Sequence, residues 1–162
     1  MDESGFTEWA VGAERQLLRA AVLLTGDLQA AEDLVQEALV KVALRWDRLA
    51  QGNPTGFART VIVRDNISRW RRRREVLTPT PSDLAAASSD PETTLVVRRA
   101  LGRLTPKQRA VVVLRHFEDL SVEEVAVVMG VGVGTVKSQN AAALARLRNG
   151  APELLDLIGR SR

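Results

Sequence analysis

The chain of 162 residues is 45% hydrophobic and carries a net charge of +3, enough apolar material for one large or two small packed domains and too much for global disorder. Cysteine is absent and His116 is the one histidine, which excludes disulfides, thiolate chemistry and multi-histidine metal sites. No apolar run approaches the roughly 20 residues of a membrane span, and Met1-Asp2-Glu3 is acidic where a secretory leader is basic, so a cytoplasmic protein is expected.

From Phe6 to Leu24, Trp9, Val11, Leu17, Leu18, Ala21 and Leu24 recur at helical spacing. Thr25-Gly26-Asp27 breaks the pattern, with Asp27 placed to cap a second helix over Leu28 to Arg45. Ala31, Leu34, Val35, Ala38, Leu39 and Val42 form its apolar stripe, and Glu32, Asp33, Gln36, Glu37 and Lys41 lie largely off it. Gln51 to Pro54 reads as a loop, and Thr55 as the cap of a third helix over Gly56 to Arg74. Between Phe57 and Arg74 stand seven arginines and a single acid, Asp65. A basic helix of this kind is either a phosphate clamp or a helix end whose cations suit the dipole. Trp70, inside the arginine run, has two readings: a platform for an unpaired base, or a core residue in line with Val63 and Ile67. The periodicity favours the core.

Leu77 to Pro91 is rich in proline, serine and threonine and has no basic residue, which is linker composition. A second helical block follows, from Glu92 to Leu157, opened by Leu95, Val96 and Leu101. Pro106 fits the first position of a helix cored by Val111, Val112, Leu114 and Phe117. His116, beside Phe117, reads as a structural histidine. Ser121 and Glu124 form a capping box for a short helix bearing Val122, Val125, Ala126 and Met129.

The next stretch, GVGVGTVKSQN from Gly130 to Asn140, looks like a phosphate-binding loop. The spacing excludes that. A dinucleotide fingerprint puts its third glycine at Thr135 or Lys137, and a P-loop needs glycine where Val136 stands. The stretch reads instead as a turn in a helix-turn-helix, with Gly130 ending one helix in a left-handed conformation, Gly132 and Gly134 swinging the chain round, and Thr135 capping the next. That second helix, Thr135 to Arg148, carries Thr135, Lys137, Ser138 and Gln139 in its first turn and three basic residues without an acid. Such a helix suits the major groove of DNA. The expected fold is all-α, with two helical domains at 1–75 and 93–158 and a linker at 76–92.

Together these segments resemble one family. Leu24-Thr-Gly-Asp27 with Ala31-Glu-Asp-Leu-Val-Gln-Glu-Ala38 is similar to region 2 of the extracytoplasmic-function (ECF, group IV) RNA polymerase sigma factors. Leu104 to Ala110, Leu114 to Ser121 and Gly134-Thr-Val-Lys-Ser138 are similar to their region 4, and the SRWRRRR run resembles the actinobacterial SigE-like subfamily. The resemblance implies a sigma factor, not an enzyme, that binds core RNA polymerase through the β′ clamp helices and β flap, recognises −35 and −10 promoter elements, and promotes melting. The other reading is a sigma-like two-domain regulator that no longer initiates transcription.

By the same resemblance, Asp33, Gln36, Glu37 and Lys41 match the polymerase-binding face, and the loop from Trp46 to Thr55 matches the loop that captures a flipped −10 base. Arg59, Arg64, Arg69, Arg71 and Arg72 match the −10 reader, and Arg115, Thr135, Lys137, Ser138 and Gln139 the −35 reader. An anti-sigma protein is an implied partner, for which the linker Thr78 to Asp90 gives room. No cofactor, metal, membrane insertion or small-molecule substrate is implied, and no further regulatory domain is expected beyond the second block. The chain departs from the family pattern where Arg64 replaces a frequent asparagine, where Ala141 and Ala142 stand near positions that are usually bulky and usually arginine or another polar residue, and where Asn140 replaces a usually apolar or small one. Fewer phosphate contacts follow, and with them weaker −35 binding that depends less steeply on salt.

Overall fold

The computed structural model describes residues 1–76 and 91–160, and the described residues are helical with no strand. The chain divides into two compact units, Met1–Thr78 and Pro79–Arg162. Of the linker expected at 76–92, residues 77–90 lie outside the described residues, while Val76 ends one helix and Pro91 opens the next.

The first unit holds α1 (Glu3–Thr25), α2 (Leu28–Ala43), α3 (Trp46–Leu49) and α4 (Pro54–Val76). Helix α1 starts earlier than its apolar pattern, because the Asp2 carboxylate accepts from the Gly5 N–H at 3.0 Å and caps the first turn. It stops at Gly26, whose φ of 70° is left-handed and whose N–H donates to the Val22 carbonyl. Asp27 then caps α2, as its position suggests, by accepting from the Gln29 N–H at 3.1 Å.

Ala20 and Ala21 of α1 and Ala31 and Ala38 of α2 are buried. Such short side chains let helix axes approach closely. Leu17, Leu24, Leu34, Val35 and Val42 fill the space around them, each fully buried leucine or valine contributing about 1.5–3 kcal/mol. Val11 does not join this core and is exposed, so the apolar stripe of α1 is narrower than its sequence.

Helix α4 is capped by Asn53, not Thr55. The Asn53 Oδ1 accepts from the Gly56 N–H at 2.8 Å, and Pro54 opens the helix. The Thr55 hydroxyl has a different task, accepting from Trp9 Nε1 at 3.0 Å. Trp9 packs with Phe6 and Trp46 in a ring cluster with centroids 5.5–5.8 Å apart. That cluster anchors the segment before α4. Its first part, Trp46–Leu49, is a helical turn with Trp46 buried, so the expected open loop shrinks to residues 50–53.

The second unit holds α5 (Pro91–Gly102), α6 (Pro106–Val112), a π-helical turn (Val113–Phe117), α7 (Val122–Met129), α8 (Val133–Gly150) and α9 (Pro152–Arg160). Thr105 and Gln108 form a capping box at α6, with Pro106 first in the helix. Val111, Val112, Val113 and Leu114 are all buried. A regular α-helix with one wet side does not bury four consecutive residues. Here the π turn, closed by the Glu118 N–H on the Val113 carbonyl at 3.0 Å, adds a residue to the turn. Helix α9 closes the unit and buries Leu154.

Candidate nucleic-acid interface

Two surfaces carry the expected functional residues, one in each unit. In the first unit, α2 and α4 lie side by side and antiparallel. Lys41 Nζ donates to Asp65 Oδ2 at 2.8 Å, and one turn along, Arg69 pairs with Glu37. Each helix presents an acid followed four residues later by a base, and because the helices run antiparallel each acid meets the other helix's base in this register. Partly exposed pairs contribute at most about 1 kcal/mol each. They orient the helices, whereas the core holds them.

The expected polymerase-facing residues therefore divide. Glu37 and Lys41 are tied to α4, and Asp33 and Gln36 stand exposed, with Gln29 Nε2 donating to Asp33 Oδ1 at 3.2 Å. Val40 and Leu44, at 57% and 78% exposure, continue the outer face from Gln36. Sequence periodicity missed them, since single apolar residues off a stripe carry no signal.

On α4, Arg59 is half-buried, Arg64 is exposed, and Arg71, Arg72, Arg73 and Arg74 are exposed. The core reading of Trp70 does not hold: its side chain is 40% exposed, with the Arg74 guanidinium 5.5 Å from the ring centroid. Of the two residues in line with it, Val63 is buried and Ile67 only half-buried, so the face grows wetter toward Trp70. Helix α1 ends at Thr25, and Asn66 Nδ2 lies 3.5 Å from the Leu24 carbonyl, so α1 reaches only as far as Asn66 along α4. Trp70 sits one turn past the end of α1.

In the second unit, α7 and α8 form a helix-turn-helix. Ser121 and Glu124 make the expected capping box. Gly130 is left-handed at φ 66°, and its N–H bonds back to the last turn of α7. The rest of the turn differs from expectation. Gly132, at φ −75°, is the N-cap of α8, and Gly134 and Thr135 are already helical. Thr135 thus does not cap, and no side chain caps the first turn of α8.

Val136, Ala143 and Leu147 are buried and fix α8 to its unit. Thr135, Lys137 and Ser138 are exposed and Gln139 is half-buried. The Ser138 hydroxyl donates to the Thr135 carbonyl at 3.1 Å, leaving its lone pairs outward. Asn140 turns inward, its Oδ1 3.3 Å from His116 Nε2. Ala141, Ala142 and Ala145 are exposed, so the middle of the outer face of α8 carries no polar side chain from these positions, and exposed Arg146 and Arg148 follow only toward its end. Arg115 is half-buried and donates from Nη1 to the Leu120 carbonyl at 2.6 Å, bracing the bend where Asp119 takes a positive φ of 54°. Nearby, burial and then the charge of Arg98 push the Arg109 guanidinium down to about 10, which still leaves it charged at neutral pH.

The two basic surfaces, one in each unit, suit a polyanion. Among the described residues no group of histidine, aspartate and glutamate could hold a metal ion, and no helix is long and apolar enough to cross a membrane.

A family model described as Sigma-70 region 2 matches residues 12–76, and one described as Sigma-70, region 4 matches residues 94–147. The RNA polymerase sigma-E factor of Streptomyces avermitilis is 42% identical over 149 residues, covering 88% of this chain and 83% of that protein. The ECF RNA polymerase sigma factor SigM of Mycobacterium tuberculosis is 33% identical over 82% of this chain and 70% of its own length. Among solved structures, the sigma factor RpoE in complex with the anti-sigma factor NepR from Bartonella quintana aligns with a TM-score of 0.73. That match has 26% identity and covers 89% of this chain and 94% of that one.

Proposed function

The chain belongs to the ECF RNA polymerase sigma factors of the sigma-70 family, and on that premise we propose that it is a dissociable polymerase subunit that selects promoters and opens them. The observation that carries the reading is the pairing of an arginine-rich helix in one unit with a helix-turn-helix in the other. Core polymerase docks on the outer face of α2, through Asp33, Gln36, Glu37 and Lys41 together with Val40 and Leu44. Arg59, Arg64, Arg69, Arg71 and Arg72 read the −10 element. Arg69 is held by Glu37 until a partner takes that carboxylate.

Thr135, Lys137, Ser138 and Gln139 read the −35 element, with the uncapped N–H groups of α8 facing a phosphate. Arg115 acts mainly by bracing the turn before α7. The protein works in the cytoplasm, where polymerase and promoter meet, and a relative is captured with an anti-sigma factor, which supports an anti-sigma partner here.

The test is transcription in vitro by matching core polymerase plus this protein on genomic DNA, followed by sequencing of the transcripts. Shared upstream elements at both positions are expected. Retained polymerase binding without promoter-specific transcripts would instead identify a regulator that no longer initiates.

The bare middle of α8 supplies a sharper expectation. Ala142 is exposed and unencumbered, so Ala142→Arg adds a phosphate contact at little cost to the fold. Affinity for −35 duplex rises, and the salt slope steepens by about one unit. Titration by fluorescence anisotropy at several salt concentrations reads both; an unchanged slope would mean that this face does not meet DNA.

A further inference from the structure

We infer that the hydrogen bond between His116 and Asn140 positions α8 for sequence readout, so that these two residues set how sharply the protein discriminates between DNA duplexes without touching DNA themselves. The inference rests on the reading of α8 as the −35 helix and deepens it.

The inward stripe of α8 runs Val136, Asn140, Ala143 and Leu147, residues that share one face of a helix. Val136, Ala143 and Leu147 are buried and apolar. Asn140 is the polar exception, and it is half-buried. An asparagine in such a place destabilises the fold unless its amide is hydrogen-bonded. Its Oδ1 lies 3.3 Å from His116 Nε2, and in the tautomer with the proton on Nε2 the histidine donates. An alanine at this position would make no such demand, so the fold alone does not call for the pair.

Apolar contacts hold a helix against its unit but not at one angle, because they are non-directional. A hydrogen bond weakens steeply away from linearity, and so resists rotation and sliding. Helix α8 needs that resistance near its start. No side chain caps its first turn, and Gly134 lies within that turn, so local control there is weak. Between Val136 and Ala143 no residue is fully buried. The bridge falls in this gap between the apolar anchors, directly after Lys137, Ser138 and Gln139.

The other end of the bridge is firm. His116 stands in the π turn Val113–Phe117, whose Val113 and Leu114 are buried. The Glu118 N–H closes that turn on the Val113 carbonyl at 3.0 Å, and Arg115 Nη1 ties it to the Leu120 carbonyl at 2.6 Å. Turns of this kind are rare and frequently lie at functional sites. Contacts to base edges must be held to within roughly 0.5 Å, which takes support behind the contacting side chains.

The test offers the full chain a pool of duplexes with a randomised segment and sequences the bound fraction. Asn140→Ala and His116→Ala each lower the enrichment of the preferred sequence over the bulk pool by about 2- to 10-fold, and the double variant is no worse than either alone. The salt slope for the bulk pool is unchanged, because no phosphate contact is lost. His116→Gln, whose amide nitrogen reaches the place of Nε2, keeps most of the discrimination, and the shorter His116→Asn does not. His116 is the one histidine of the chain, so its ring is followed by NMR without ambiguity. An Nε2–H signal slow to exchange with water is expected, and Asn140→Ala abolishes it.

Normal enrichment in Asn140→Ala would overturn the inference and leave the pair as a satisfied polar contact. A smaller salt slope in either alanine variant would also overturn it, since that residue would then meet phosphate. So would equal losses in His116→Gln and His116→Asn, which would trace the effect to the ring's volume. These three outcomes leave the reading of α8 intact. A pool from which the unaltered chain enriches no sequence would instead remove that reading, and this inference with it.

Discussion

A variant in which Arg71, Arg72, Arg73 and Arg74 are all glutamine will fold and will not direct transcription from its promoters. These side chains are exposed at the end of a helix whose core anchors, Ala58, Ile62 and Val63, lie farther back. Glutamine is as good a helix former as arginine. Losing cations near the helix C-terminus costs at most about 1 kcal/mol per charge. The effect on binding is far larger. If each arginine neutralises one phosphate, removing four lowers the salt slope by about 3–4 units and the affinity at physiological salt by on the order of 10^3-fold. Promoter binding by the reconstituted holoenzyme over a range of salt measures both. An unchanged slope would show that the run faces solvent and serves only the helix end.

Leu34→Ala is expected to have the largest effect on stability. Leu34 is buried in α2, the helix that packs against both α1 and α4. Truncation of a fully buried leucine costs about 2–5 kcal/mol. A unit of this size has in total only about 4–12 kcal/mol of stability. The melting temperature of the unit therefore falls by roughly 10–30 °C, and at the upper end it does not fold at working temperature. Tryptophan emission follows this transition cleanly, since the second unit has no tryptophan. A shift of only a few degrees would mean that neighbouring side chains collapse into the space, and that the α2 interface is more plastic than its buried alanines suggest.

The features legible in the sequence were those decided by local chemistry. Asp27, Ser121 with Glu124, and Gly130 end or begin helices as their positions imply, because a cap depends on residues three or four apart. Features decided by distant partners were misread. Thr55 looks like a cap, but its hydroxyl is needed by Trp9, 46 residues away in sequence, and Asn53 caps instead. Thr135 looks like a cap, but α8 begins earlier, at Val133. Trp70 lies on the correct face and is exposed because another helix ends too soon. The π turn could not be read from periodicity, which assumes a constant number of residues per turn. For the candidate interface, residue type located both basic surfaces. It did not show that Glu37 and Arg69, read as contacts to different partners, hold each other.

The attachment of α8 has a consequence for how such proteins diversify. The residues that keep the helix in place, Val136, Ala143 and Leu147, share no position with those that face outward. If the outward face reads DNA as proposed, stability and sequence preference are written on separate faces of one helix. Exchanges at the outward positions would then change which DNA is chosen while leaving the fold untouched, since surface substitutions usually alter stability by less than about 0.5 kcal/mol. A gene duplicate could drift to a new set of promoters in single steps, each intermediate still folded. The same separation makes this helix a place where an engineer could install a private promoter code.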